Sequence, residues 1–109
     1  MPYVFITSYL PYNRTKQAAK IYVDSIKEYR SAIKGLAKEI IPNAVKARKG
    51  FIEVTGVFDV EESNLAKLLQ QEQNYMTRFH DIGEGYSYDI EVRFKVTEAL
   101  EMIGLKMPE

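Results

Sequence analysis

The stretch SYDIEVRFKV, residues 87–96, alternates apolar and polar side chains almost without error. Its apolar members are Tyr88, Ile90, Val92, Phe94 and Val96, and its polar members are Ser87, Asp89, Glu91, Arg93 and Lys95. A period of two is typical of a strand with one buried face. The stretch therefore predicts a strand whose apolar face is covered by other elements and whose charged face looks away from them.

A second strand is predicted near the start of the chain, and it is apolar on both faces. The segment YVFITSYL, residues 3–10, is rich in β-branched and aromatic residues. One face carries Tyr3, Phe5, Thr7 and Tyr9, and the other carries Val4, Ile6, Ser8 and Leu10. A strand that is covered on both sides has this composition.

Two further strands are predicted over residues 43–60, joined at the Lys49–Gly50 pair. Glycine supplies the positive φ that a tight turn often needs. The second of these strands places Ile52, Val54, Phe58 and Val60 on its buried face. Gly56 interrupts that row and indicates a bulge or a close approach of another backbone.

Apolar residues at helical spacing predict two main helices. The first begins with a cap at Asn13 or Thr15 and runs to about residue 33, and the second covers residues 61–79. The segment LAKEII, residues 36–41, is expected to add a short helical turn before Pro42. Residues 97–105 are expected to form a short terminal helix, capped by Thr97 and ended by Gly104.

The order strand, helix, strand, strand, helix, strand predicts an α+β fold, a ferredoxin-like βαββαβ sandwich with a short C-terminal helix. Residues 1–109 are assigned to a single domain. Both main helices cover one sheet face, so the other face stays open in a protomer. That face carries Glu53, Thr55, Val57, Asp89, Glu91 and Arg93, with either the Phe5 and Tyr9 row or the Ile6 and Leu10 row. Mixed apolar and charged residues predict a homodimer that pairs sheet to sheet.

Composition excludes several classes of function. The chain has 15 basic and 15 acidic residues in 109, no cysteine and one histidine. Zero net charge without a basic stripe predicts no binding to nucleic acid. The absent thiols and the lone histidine predict no metal site and no cofactor. No leader or membrane span is recognisable, so the expected location is the cytoplasm.

The element order resembles that of the dimeric α+β barrel superfamily. The most specific segments are IGEGYSYDIEVRFKVTEALEMIGLKMP, residues 82–108, and IPNAVKARKGFIEVTGVFDV, residues 41–60. They are similar to small, uncharacterised prokaryotic members of that superfamily. Its members include monooxygenases without cofactors, isomerases, dehydratases, haem-degrading enzymes and ligand-sensing domains. The resemblance implies a fold and a dimer, and it does not select an activity.

Candidate site residues come from the charged strand and the loop before it. His80 is a candidate for a catalytic base, although a histidine after a helix C-terminus also interacts favourably with the helix dipole. The predicted ligand-binding residues are Tyr9, Thr55, His80, Glu91 and Arg93. Arg93 is suited to hold a carboxylate ligand, and the alternative is a salt-bridge network at a dimer interface.

The sequence is compatible with three functions. The leading one is the binding or sensing of a small apolar or aromatic molecule. The alternative is a cofactor-independent enzyme of the monooxygenase, isomerase or dehydratase type, and the third is a purely structural interaction protein. An enzyme needs a titratable group with a shifted pKa in its pocket, whereas a binding module needs only the cavity.

Overall fold

The computed structural model describes residues 1–108, which form one four-stranded antiparallel sheet and three α-helices. The strands are β1 (Tyr3–Pro11), β2 (Ala37–Arg48), β3 (Phe51–Val60) and β4 (Ser87–Arg93). The helices are α1 (Thr15–Ile33), α2 (Glu62–Thr77) and α3 (Val96–Met102), with short 3-10 helices at Tyr12–Arg14 and His80–Ile82. The predicted α+β fold is confirmed.

The sheet has the strand order β2-β3-β1-β4, which places β1 at its centre. β1 pairs antiparallel with β3 on one side and with β4 on the other. Thr7 lies opposite Thr55 in β3 and Asp89 in β4. A central strand buries more of both faces than an edge strand does, which explains the apolar composition of both faces of β1.

The core lies between α1 and α2 and one face of the sheet. Val4 of β1, Val60 of β3 and Leu68 of α2 are completely buried there, and Phe58 is nearly so. The opposite face, here called the open face, carries Tyr3, Phe5, Thr7, Tyr9, Glu53, Thr55, Val57, Asp89, Glu91 and Arg93. Of the two rows that the sequence allowed, the Phe5 and Tyr9 row therefore lies on the open face.

The predicted helical turn at residues 36–41 is wrong, because residues 37–41 belong to strand β2 and Leu36 lies in the turn before it. Ala37 pairs with Val60 and Ile41 pairs with Val57, so the segment gains a ladder partner that a local turn would not provide. Pro42 lies inside the strand instead of ending it. An edge strand tolerates proline because one of its sides makes no ladder hydrogen bonds.

A bulge surrounds this proline and explains the glycine opposite it. The register shifts between Glu39 and Ile41 and again between Ile41 and Ala44, and Asn43 has a φ of 135°. A Cβ added to Gly56 would lie 3.1 Å from Asn43 Oδ1. Of the two alternatives predicted at Gly56, the structure shows a bulge, which lies in the partner strand, and the closely approaching atom belongs to a side chain rather than a backbone. The tight turn predicted at Gly50 is confirmed, with a φ of 87°.

The end of the chain differs from the prediction in its boundaries. β4 ends at Arg93, and Val92, Phe94 and Val96 are exposed rather than covered by the helices. Thr97 is not the cap of the last helix; the Glu98 carboxylate accepts a hydrogen bond of 2.9 Å from the backbone N–H of Lys95.

The predicted cap of α1 is also wrong. Thr15 is the first residue of the helix, and its hydroxyl donates a hydrogen bond to the Tyr12 carbonyl at 2.9 Å. At the other end of the chain, Gly104 has a φ of 79° and follows the last helix, as predicted.

Candidate functional site

Four of the five predicted ligand-binding residues share the open face. Tyr9 donates a hydrogen bond to Asp89 at 3.3 Å, and the Thr55 hydroxyl lies 3.4 Å from that of Thr7. Desolvation, followed by the bond to Asp89, raises the pKa of Tyr9. Glu91 and Arg93 lie further along the same face on β4.

Arg93 has a carboxylate partner on its own strand, Glu91. Its guanidinium lies 3.0 Å from the Glu91 carboxylate and 4.3 Å from the ring centroid of Phe5. Both charged side chains are about half exposed in the protomer, at 56% and 47%. An ion pair this exposed contributes little to stability, so these residues are free to meet a ligand or another chain.

His80 lies apart from the other four residues. Its ring stacks on Tyr88 with 6.0 Å between centroids, and Tyr88 belongs to the core face and accepts a hydrogen bond from Gln73 of α2. The His80 side chain therefore packs at the end of α2, not on the open face. Ligand binding by these five residues and catalysis by His80 stay predictions.

The structure contains a cavity that the sequence did not indicate. It has a volume of about 460 Å³ and lies between α1 and the core face of β1 and β3, towards β2. Ile52 and Val54 line it and are only half-buried, whereas Phe58 and Val60 on the same face of β3 are buried. Helix α1 thus leaves one end of the apolar strand face uncovered.

The mouth of the cavity lies between α1 and β2. Val23 of α1 and Val45 of β2 line the cavity and are 69% and 68% exposed. Beside them, the Asn43 side-chain amide donates a hydrogen bond to the Tyr22 hydroxyl at 3.5 Å. This long contact joins the β2 bulge to α1, so the bulge helps to set the width of the opening.

Glu72 of α2 lies in the wall of this cavity and is completely excluded from solvent. The Tyr29 hydroxyl of α1 donates a hydrogen bond to Glu72 Oε1. Within residues 1–108, no donor reaches Glu72 Oε2. A buried carboxyl oxygen without a partner is costly and therefore calls for an explanation.

Burial alters the protonation of this group. Desolvation raises the pKa of Glu72 from 4.5 to about 7, although the Tyr29 hydrogen bond lowers it, and the charge of Glu39 on β2 adds to the rise. Desolvation, followed by the charge of Glu72, raises the pKa of Tyr29, which keeps that phenol protonated as a donor. The cavity wall therefore holds a carboxyl group that titrates near neutral pH.

The polar groups next to Glu72 are already paired. The Tyr75 hydroxyl lies 2.9 Å from the Ser25 hydroxyl, which also donates to the Ile21 carbonyl at 2.6 Å. The rings of Tyr29 and Tyr75 lie 4.1 Å apart between centroids. Within residues 1–108, Glu72 Oε2 therefore lacks a partner beside two buried pairs, Tyr29–Glu72 and Ser25–Tyr75, that are hydrogen-bonded.

The sequence contains an indication that Glu72 is buried, in addition to the apolar periodicity that predicts the helix. Apolar residues of α2 and of the turn after it recur at Leu65, Leu68, Met76 and Phe79, and Glu72 occupies the position between the second and third of these. A carboxyl side chain inside an apolar stripe is unusual, because a buried acid needs a partner. The position of Glu72 in the sequence therefore indicates a buried acid. It does not indicate the cavity, which depends on how α1 packs.

Residues 1–108 contain neither a cluster of metal-binding side chains nor a helix able to cross a membrane. Across residues 1–108, no three histidine, aspartate or glutamate side chains gather in a way that would hold a metal ion. The helices of that same part of the chain are too short or too polar to cross a membrane. The predicted lack of a cofactor and the cytoplasmic location stay predictions.

Comparison with known proteins finds likeness in structure alone. No family model matches the chain, and no curated protein matches it. Three similar solved structures are de novo designed proteins: Foldit4 (9% identity, TM-score 0.56, 86% of this chain and 97% of that one), Ferredog-Diesel (13%, 0.52, 82% and 83%) and LFR1 1 with a ferredoxin fold (17%, 0.51, 88% and 88%). At these identities the likeness concerns the fold, and it supports a ferredoxin-like fold for this chain.

Proposed function

We propose that the protein binds a small, largely apolar molecule in the cavity between α1 and the core face of the sheet. The observation that carries this proposal is the half-burial of Ile52 and Val54, which lie on the core face of a central strand without a helix over them. Apolar side chains left beside a gap forfeit packing contacts that a bound molecule restores. The open mouth beside Val23 and Val45 gives such a molecule a way in.

The size of the cavity agrees with this function. Its volume of about 460 Å³ falls within the roughly 300–1,000 Å³ typical of small-molecule pockets. Such pockets are mostly apolar, with a few polar groups that orient the ligand. Here the orienting groups are the hydroxyl of Tyr22, the amide of Asn43 and the carboxyl of Glu72.

Titration with N-phenyl-1-naphthylamine, a neutral fluorophore that brightens in apolar sites, tests the proposal. Val54→Phe extends a side chain into the cavity and is expected to weaken binding at least tenfold. Val92→Phe is the matched control, since Val92 is a partly exposed residue of β4 away from the cavity, and it should leave binding unchanged. Equal binding by both variants would place the fluorophore elsewhere.

We also propose that two copies pair through their open faces, as dimeric α+β barrels do. Tyr3, Phe5 and Tyr9 form a half-buried apolar row there, and Arg93 and Lys95 each have a carboxylate partner within the protomer, Lys95 on Asp59 at 2.9 Å. Cations that are already paired can be covered at lower cost than free ones.

Light scattering at micromolar concentration tests the pairing. The expected mass is twice the 12.6 kDa of one chain. Thr7→Lys brings like charges together at the centre of paired open faces and should reduce the mass to that of one chain, whereas Ala32→Lys, on the exposed side of α1, should not. A single-chain mass for the unmodified protein would contradict the pairing.

Cofactor-independent catalysis is a second candidate function, and one observation favours it. A general acid or base works best when its pKa lies near the working pH, and Glu72 satisfies that condition inside the cavity. The candidate group is thus Glu72 rather than His80. Mass spectrometry of compounds that bind the cavity would detect conversion by the unmodified protein and its loss in Glu72→Gln. If the compounds are recovered unchanged after prolonged incubation, the protein binds them without catalysing their conversion.

A further inference from the structure

The unsatisfied oxygen of Glu72 specifies what a ligand must bring to the cavity. Oε1 already accepts the Tyr29 hydroxyl, and within the described chain Oε2 accepts from no group. Glu72 lines the cavity but is fully buried in the free protein, so a cavity ligand supplies a partner for Oε2 when the lining side chains shift to admit it. A ligand that carries a hydrogen-bond donor would complete the network.

The charges of the residues that line the cavity indicate which kind of hydrogen-bond donor the ligand carries. Among the lining residues in the part of the chain that the structure describes, Glu72 is the only acid, and there is no lysine, arginine or histidine. A ligand carboxylate or phosphate would meet a like charge and no cation. A ligand cation would form a charge-assisted hydrogen bond, which is stronger than a neutral one.

Aromatic rings around the carboxyl favour a cation as well. Tyr29 and Tyr75 line the cavity near Glu72 and pack against each other, with their ring centroids 4.1 Å apart. The face of an aromatic ring attracts an ammonium group, and the attraction is larger where water is excluded. A carboxylate with tyrosine rings beside it is therefore suited to an alkylammonium group.

We infer that the ligand is an apolar amine, with its protonated nitrogen on Glu72 Oε2 and its hydrocarbon body against Ile52 and Val54. This inference rests on the proposed function, since it assigns chemistry to a molecule bound in the same cavity. The protonated nitrogen of this ligand lies at α2, and its hydrocarbon body extends along β3 towards the mouth of the cavity.

Competition against N-phenyl-1-naphthylamine at about pH 8 tests the inference. The competitors are 1-naphthylmethylamine, 1-methylnaphthalene and 1-naphthylacetate, which share one ring system and differ in charge. A hydrogen bond to a charged group predicts that the amine competes at least about tenfold better than the neutral hydrocarbon. The acetate should compete worse than either.

Two substitutions distinguish a preference for amines from binding in the cavity as such. In Glu72→Gln the amine-to-hydrocarbon ratio should fall to about one, while in Glu84→Gln, a change in an exposed loop, the ratio should stay as it is. Absence of any fluorophore binding would contradict the proposed function itself. Fluorophore binding without an amine preference, or with a preference that survives Glu72→Gln, would overturn the amine inference alone.

Discussion

Replacement of Glu72 by glutamine tests the environment of the buried carboxyl without relying on any ligand. Glutamine has nearly the same shape as glutamic acid and still accepts the Tyr29 hydrogen bond through its oxygen, but it does not ionise. The two proteins should therefore differ in how their stability depends on pH. Burial raises the pKa of both Tyr29 and Tyr75, which lie beside the position in both proteins, so their contributions largely cancel in the comparison.

The size and sign of the effect follow from the raised pKa. Between pH 4.5 and about 7 the unfolded chain releases the Glu72 proton while the folded chain keeps it. Folding stability from this group is thus complete below about pH 4.5 and is lost as pH rises to about 7. A difference of about 2.5 pH units corresponds to roughly 3 kcal/mol.

Urea unfolding followed by circular dichroism, at about pH 5 and pH 8 and at equal protein concentration, measures this loss. The unmodified protein should lose roughly 2.5 kcal/mol more than Glu72→Gln does over that interval, since a small part of the loss occurs below pH 5. Glu84→Gln controls for removal of an exposed carboxyl and should follow the unmodified protein. Parallel pH dependence in the unmodified protein and Glu72→Gln would refute the reasoning that Glu72 is buried away from water.

Three further substitutions test the fold and the open face by the same unfolding assay. Leu68→Ala removes a completely buried side chain and should cost about 2–5 kcal/mol, and a loss below about 1 kcal/mol would contradict the packing of α2. Gly50→Ala forces a φ of 87° on a residue with a Cβ and should cost about 1 kcal/mol, so an unchanged midpoint would argue against this turn. Arg93→Ala should cost less than about 1 kcal/mol in the single-chain Thr7→Lys form, where Arg93 and Glu91 are half exposed, and about 3 kcal/mol in the paired protein; a loss below about 1 kcal/mol in both would contradict pairing over this face.

The sheet was predictable because its residues obey simple periodic rules. The alternation in residues 87–96 identified β4, which ends at Arg93, and the apolar composition of β1 indicated a strand covered on both sides, in agreement with its central place in the sheet. The glycine at position 50 located the hairpin turn. These signals are local, so a single sequence is sufficient to reveal them.

Strand β2 was only partly predictable, because its first half depends on a partner. Residues 36–41 carry no clear alternation, and Pro42 follows them. Pairing with β3 and a bulge at Asn43 overcome both features. Tertiary pairing commonly outweighs local preference in strands.

The cavity was not predictable, since it arises from the distance between α1 and the sheet. The sequence does place Ile52 and Val54 on the core face, and they lie there. Whether a helix covers them depends on where α1 crosses the sheet, which periodicity does not encode. Glu72 was visible as an acid within an apolar stripe, and its meaning emerged only with the cavity beside it.

Nuclear magnetic resonance with 1-naphthylmethylamine tests the central claim most directly, because it distinguishes the cavity from the open face. Nuclear Overhauser contacts between the ligand ring protons and the methyl groups of Val45 and Val54 are expected, with the largest amide shifts in α1, α2 and the core-facing part of β3. Contacts to the side chains of Thr55 or Arg93, or an absence of contacts at saturating ligand, would contradict a binding site between α1 and the sheet.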